Sequence, residues 1–341
     1  MTQAQRNIQI AALTGGLNTP STRFRVRQYI QPLHNFGIEV AEHIPRWGES
    51  CGLPSPFKMV SRIPGLIRSR QADLIWISRD LVQGYPTFER LVRRPRILDV
   101  DDAIWLSRPF GKYGQPWIAR GMDAVIAGND YLADYYSRYC RRIYILPTAV
   151  DTRRYIPQPP PKDAADRFII GWTGLRSNYK YLEMIEPALK RFLDNHPDGR
   201  LMLIANQPWK SSLIRPEQIC FFPWTPEDEA SLLCRMSVGL MPLPDQPWTR
   251  GKCSFKMLQY MAAGLPVIVS PVGMNQQVLE KGQIGLAART NDQWTEALEA
   301  LYRDPSMART MGRLGRQIAE THYSVSVIAD KLADILRTHA R

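Results

Sequence analysis

The stretch Pro244–Gly273, PDQPWTRGKCSFKMLQYMAAGLPVIVSPVG, limits most severely what this chain can become. Residues 254–263 are good helix formers and stop at Gly264, the usual residue just past a helix end. Leu265–Ser270 is then a short apolar, β-branched run between Gly264 and Pro271, which predicts a buried strand. A helix leading straight into such a strand is the repeating unit of an α/β domain. The charge on that helix is misplaced. Lys252 and Lys256 stand at and just inside its N-terminus, where the macrodipole and unpaired N–H groups already create positive potential. Spacings of four and three put Lys252, Lys256 and Gln259 on one helical face. A bound phosphate accounts for this, because helix N-termini are anion sites. A solvated basic face on an ordinary αβ unit accounts for it as well.

The same alternation runs through the chain. Ile8–Leu13, Gly37–Ala41, Ala72–Ser78, Ile97–Val100, Asp123–Ala127 and Arg141–Pro147 are predicted strands. After a proline-rich break at Ile156–Lys162 (IPQPPPK), too rich in proline for helix or central strand, the pattern resumes. Phe168–Thr173, Leu201–Ala205, Ile219–Phe222, Val238–Pro242, Leu265–Ser270 and Gly285–Ala287 follow as strands. Asn291–Tyr302, Pro305–Thr321 and Val325–Thr338 are predicted helices. The boundaries expected are therefore a domain over 1–155, a second over 163–323, and a terminal helix over 324–341. A chain of 341 residues suits two such domains, each large enough for its own core.

Net charge is +12, and residues 1–150 carry 20 Lys and Arg against 12 Asp and Glu, hence +8. Such a field favours an anionic partner: nucleic acid, anionic lipid or an anionic substrate. Without a long Lys/Arg run or a nucleic-acid motif, nucleic acid ranks last and is not expected as a partner. No apolar run approaches about 18 residues, and the N-terminus lacks the pattern of a signal peptide. Five scattered cysteines without CxxC spacing argue for reduced thiols and against zinc or a disulfide framework. A cytoplasmic setting is the expectation.

Candidate chemistry gathers where strands end. Thr14-Gly15-Gly16 follows the first strand, at the end of a doubly wound sheet where ligands bind. In the next segment, STRFRVR, Ser21 or Thr22 can cap a helix whose first turns carry Arg23, Arg25 and Arg27 against the dipole preference. These arginines suit either an anion or a solvated helix start. Asp99, Asp101 and Asp102 cluster after the strand at Ile97. Such a cluster suits a binding site, a hard cation or a helix cap. Pro54–Arg70 (PSPFKMVSRIPGLIRSR) mixes cations with Phe57, Met59, Val60, Ile63, Leu66 and Ile67. It suits an interfacial helix on an anionic bilayer, or an ordinary core helix with a solvated basic side.

The helix–AAGLPV–strand–VG pattern resembles the donor-binding segment of retaining, nucleotide-sugar-dependent glycosyltransferases of family 4. The likeness covers nearly the whole chain and is strongest over 168–290. It implies the α/β GT-B fold: two Rossmann-like α/β domains facing across a cleft, acceptor on the first and donor nucleotide on the second. Family members usually carry two glutamates eight positions apart before the (A)GxPV strand, one for the donor sugar and one for the ribose. Here Gly251 and Gln259 hold those positions, within GKCxxKxxQYMAAG. The family's diphosphate-binding turn carries an arginine after its glycine and a lysine five residues later. After Gly174 this chain has Leu175, with Arg176 adjacent and Lys180 in register. The resemblance therefore implies Lys180, Lys256, Arg176 and Asp101 as catalytic. It implies donor binding by Gly15, Gly16, Gly174, Trp224, Lys252, Gln259, Gly273, Met274 and Asn275, and acceptor binding by Arg23, Arg25 and Asp102. No metal or other cofactor is expected, the nucleotide-sugar being a substrate. The implied acceptor is a glycan or lipid-linked sugar in bacterial cell-envelope synthesis, at the inner face of the membrane. Two other readings share the fold: a catalytically silent nucleotide-sugar-binding partner, which the missing glutamates suggest, and a sugar-nucleotide epimerase.

Overall fold

A computed structural model describes residues 7–17, 19–45, 55–158 and 167–341. Most of the proline-rich break, and Cys51, lie outside the described residues. The chain divides into two compact units: 1–149 with 250–253 and 325–341, and 150–249 with 254–324.

The first unit is built on a parallel sheet of β1 (Ile8–Leu13), β2 (Ile38–His43), β3 (Leu74–Ser78), β4 (Arg96–Val100), β5 (Ala124–Ala127) and β6 (Ile143–Ile145). Its strand order is β2-β1-β3-β4-β5-β6, in register from Ile10 against Leu74 and Ile97 against Ala124. β3, β4 and β5 are buried at every residue, as their unbroken apolar runs require of strands covered on both faces. The helices among them are α1 (Ile30–His34), α2 (Ser55–Arg68), α3 (Gly111–Ala119) and α4 (Asp130–Ser137). α4 starts where the Asn129 side chain accepts from Leu132 N–H, an N-cap. The terminal helix Val325–His339 belongs to this unit, with Ile328, Leu332 and Leu336 in one apolar cluster with Ile10, Leu74 and Ile97.

The second unit repeats the plan with β7 (Ile169–Gly174), β8 (Arg200–Ala205), β9 (Ile219–Pro223), β10 (Val238–Met241), β11 (Val267–Val269) and β12 (Gly285–Ala287). Its order is β12-β11-β10-β7-β8-β9, all parallel. The order reverses direction between β7 and β10, and at such a switch point the carboxyl ends of the strands open a ligand crevice. The core on one face joins Trp172, Phe192, Leu203, Leu240 and Trp294.

Two boundaries differ from the sequence expectation. Residues 150–155 fall in the second unit, where Val150 N–H donates to Tyr323 O and Tyr155 Oη to Glu229. Arg250–Cys253, expected within the second domain, belongs to the first. Side-chain hydrogen bonds, which no periodicity records, hold it there: Asn129 Nδ2 donates to Lys252 O at 3.1 Å, and Cys253 Sγ to Asp101 O at 3.1 Å.

Candidate active site

In the second unit, β7 ends at Gly174 beside a buried tryptophan. A Cβ at Gly174 would lie 2.7 Å from the Trp172 ring and 2.9 Å from Lys256 Cε. Glycine is what lets this turn, the indole and the lysine stem come together. Lys256 Nζ sits 5.6 Å from the Trp172 ring centroid, a cation held over an aromatic face. It lies in the first turn of the helix Phe255–Ala262, so its charge adds to that helix's positive end. Arg176 and Lys180 occupy the turn and short helix after Gly174, both exposed. The Arg176 guanidinium bonds Gln207 at 2.6 Å and its N–H donates to Asn206 Oδ1 at 2.8 Å, so the turn is braced against the end of β8. Gly273 adopts φ 54°, ψ −130°, a conformation that suits glycine, and leads into Met274–Leu279.

Three of the expected donor contacts are committed inside this unit. Gln259 is 2% exposed, and its amide donates to Tyr155 Oη at 2.7 Å. Tyr155 donates in turn to Glu229, which also accepts from Trp224 Nε1 at 2.8 Å. Burial, then the Glu229 charge, pushes the Tyr155 phenol far above its ordinary value, so it remains a donor. Gln259 and Trp224 are thus members of one hydrogen-bond network, buried at Gln259 and half-buried at Trp224. Asn275 is fully buried, its amide donating to Ser270 O and its Oδ1 accepting from Ser254 Oγ at 2.6 Å, and Met274 is buried too. An open cavity of about 450 Å³, lined in part by Leu243, Asp245, Ser270, Val272 and Arg289, lies beyond β10 and β11. It includes none of the expected site residues.

In the first unit the carboxyl ends of β3 and β4 form an ionic cluster. Asp101 and Asp102 face Arg79, at 3.9 Å and 3.5 Å, and Lys252 Nζ lies 3.8 Å from Asp102. Burial pushes the Asp101 carboxyl up to about 6; the Arg79 charge opposes this and the Asp102 charge adds to it. Its Oδ1 is buried without a hydrogen-bond partner. Arg79 has φ 64°, uncommon for a residue with a side chain, and its N–H donates to Asp99 O. The sequence reading passed over Arg79. Its position just past a buried strand was the available signal. Burial also pushes the Cys253 thiol well up, leaving it inert.

Two expectations are corrected here. Lys252 precedes the helix, which begins at Phe255, and is paired with Asp102 instead of sharing a helical face with Lys256. Arg25, expected to face an acceptor, is 2% exposed: its Nε donates to Asp99 Oδ1 at 2.8 Å and its Nη1 to Leu146 O at 2.7 Å. A buried aspartate one strand away makes that the better place for it. Arg23 remains half-buried beside Phe24, Gly15 N–H donates to Thr22 Oγ1, and Gly16 is buried. Gly251 stands where the resemblance implies a sugar-contacting glutamate. A Cβ there would meet Ala103 Cβ at 2.8 Å and Ala103 N at 2.9 Å, so no larger side chain fits.

Two parallel six-stranded α/β units of this plan match the fold of GT-B glycosyltransferase structures, and the relatives that the chain resembles are glycosyltransferases. The family model described as "Glycosyl transferases group 1" matches residues 167–304. The chain is similar, at 21% identity over 93% of its length and 90% of the relative's, to a GDP-mannose-dependent monoacylated alpha-(1-6)-phosphatidylinositol monomannoside mannosyltransferase of Corynebacterium glutamicum. Among solved structures it resembles sucrose-phosphate synthase from Thermosynechococcus elongatus (17% identity, TM-score 0.74, 97% of this chain and 98% of that one). It also resembles Anabaena HepE in complex with UDP-glucose (14% identity, TM-score 0.69, 97% and 100%).

Proposed function

We propose that this glycosyltransferase moves a sugar from a nucleotide-sugar to a glycan or lipid-linked acceptor, with retention, in bacterial cell-envelope polysaccharide or glycolipid synthesis. The observation that carries the reading is Lys256 seated over Trp172 against Gly174, at the switch point of the second unit. A cation packed there, with Lys180 and Arg176 on the same turn, suits a diphosphate at the carboxyl end of β7. Charge grows on the leaving phosphate as the glycosidic bond breaks, and fixed cations stabilise it most in the transition state. In this reading the reaction needs no metal. Asp101 receives a hydrogen bond from the acceptor hydroxyl, and Asp102 with Lys252 fixes the loop beside it. The acceptor suggestion draws on the phosphatidylinositol mannoside acceptor in the relative's name and on the basic first domain.

The test is product analysis with UDP- and GDP-sugars and a lipid-linked or glycan acceptor. Transfer with retained configuration supports the reading. Donor turnover to an epimer without any acceptor would replace it with the epimerase reading, and donor binding without turnover would replace it with the silent partner.

A further inference from the structure

α2 turns four of its six apolar residues outward, Met59 and Leu66 being half-buried. Phe57, Val60, Ile63 and Ile67 are all exposed, Phe57 by 54% and Ile67 by 57%. Spacings of three, three and four place them on one side of the helix. The opposite side faces the sheet: Ser61 is buried, a Cβ on Gly65 would lie 3.1 Å from His43 Cβ, and Arg62 donates to Thr14 O. Of the two readings the sequence left open, this exposure favours the interfacial helix over an ordinary core helix with a solvated basic side. Solvent meets the apolar side.

The segments beside this stripe are rich in cations. Residues 55–72 contain Lys58, Arg62, Arg68 and Arg70 and no acidic residue. Arg93 donates to Arg70 O at 2.8 Å and so joins the helix end to residues 90–95, which hold Arg90, Arg93 and Arg94, again without an acid. Leu91 in that segment is 77% exposed. Arg90 lies 5.0 Å over the Trp117 ring, extending the band to α3, where Trp117, Tyr113 and the preceding Phe110 are exposed.

We propose that this band is a docking surface for an anionic lipid bilayer, with α2 lying in the headgroup plane. Apolar side chains ringed by cations match a layer of apolar tails beneath anionic headgroups, and exposed Trp and Tyr suit its interface. A second copy of the chain is a poor occupant, since it would set these cations against their own kind. No helix among the described residues is long and apolar enough to cross a membrane. The surface deepens the lipid-linked acceptor reading, yet its test uses neither donor nor acceptor, so either can fail alone.

The full chain is sedimented with vesicles of neutral phosphatidylcholine and with vesicles containing phosphatidylglycerol. Recovery with the anionic vesicles only, falling as salt rises, is expected. Arg68→Gln with Arg70→Gln should weaken binding about five-fold per arginine, the equivalent of about 1 kcal/mol each. Phe57→Ser with Ile67→Ser should weaken it by at least about ten-fold, although both sites are exposed and the fold should persist by circular dichroism. Equal recovery on both vesicle types, or on neither, overturns the proposal. So does anionic binding that survives the Phe57→Ser and Ile67→Ser pair.

Discussion

Asp101 concentrates the residue-scale chemistry. Its carboxyl, raised to about 6 chiefly by burial, keeps its proton to higher pH in the folded chain than in the unfolded one. The folded state therefore binds more protons between about pH 4 and pH 6, and stability falls as pH rises through that window. Asp101→Asn should remove this slope, which denaturant titrations at pH 4.5 and 6.5 would reveal; an unchanged slope would assign the slope to other groups. The proposed reaction adds a second expectation. Turnover should rise through about pH 6 as Asp101 ionises, and Arg79→Gln should move that limb upward, because the Arg79 charge favours the ionised form. A limb left in place by Arg79→Gln would show that Asp101 does not set it. Gln259 carries a third. Its amide serves Tyr155, so Gln259→Ala should cost about 1–3 kcal/mol of stability by leaving a buried polar group poorly paired. Nucleotide affinity should change little. A large loss of affinity with unchanged stability would return Gln259 to a ribose contact.

Elements were the most legible scale. Every predicted strand has its counterpart within about three residues at either end, because each is an apolar run closed by glycine, proline or charge. α2 shows where that legibility stops. Periodicity locates its apolar side, but the burial of that side depends on what the rest of the chain places against it, and only the structure records that its apolar side is exposed. Arg250–Cys253 shows the same limit in another form. Four residues in mid-sequence are held in the first unit by Asn129 and by contact of Gly251 with Ala103, long-range packing that no local pattern contains. Gly251→Glu, which introduces the residue that the resemblance implies at this position, should therefore destabilise the protein instead of improving donor binding. A thermal melt at wild-type temperature for that variant would show the loop accommodates it.

For the whole molecule, the fold was legible in the sequence. Two α/β domains follow from two runs of alternating strand and helix, whereas the GT-B assignment and the site residues followed from resemblance, and of those residues Gln259, Arg25 and Asn275 are buried. What remains is the cationic turn of the second unit: Lys256, Lys180 and Arg176 around Gly174. A thermal-shift panel of UDP-, GDP-, CMP- and dTDP-sugars should single out the donor, with about 2.7 kcal/mol of stabilisation at 100 times its dissociation constant. The most direct measurement is then steady-state turnover of that donor by Lys256→Ala and Lys180→Ala. The account predicts a fall in kcat of at least about 100-fold in each, with a much smaller change in KM. Near-wild-type kcat in both variants, with the fold intact by circular dichroism, would contradict it and make both lysines solvated surface charge.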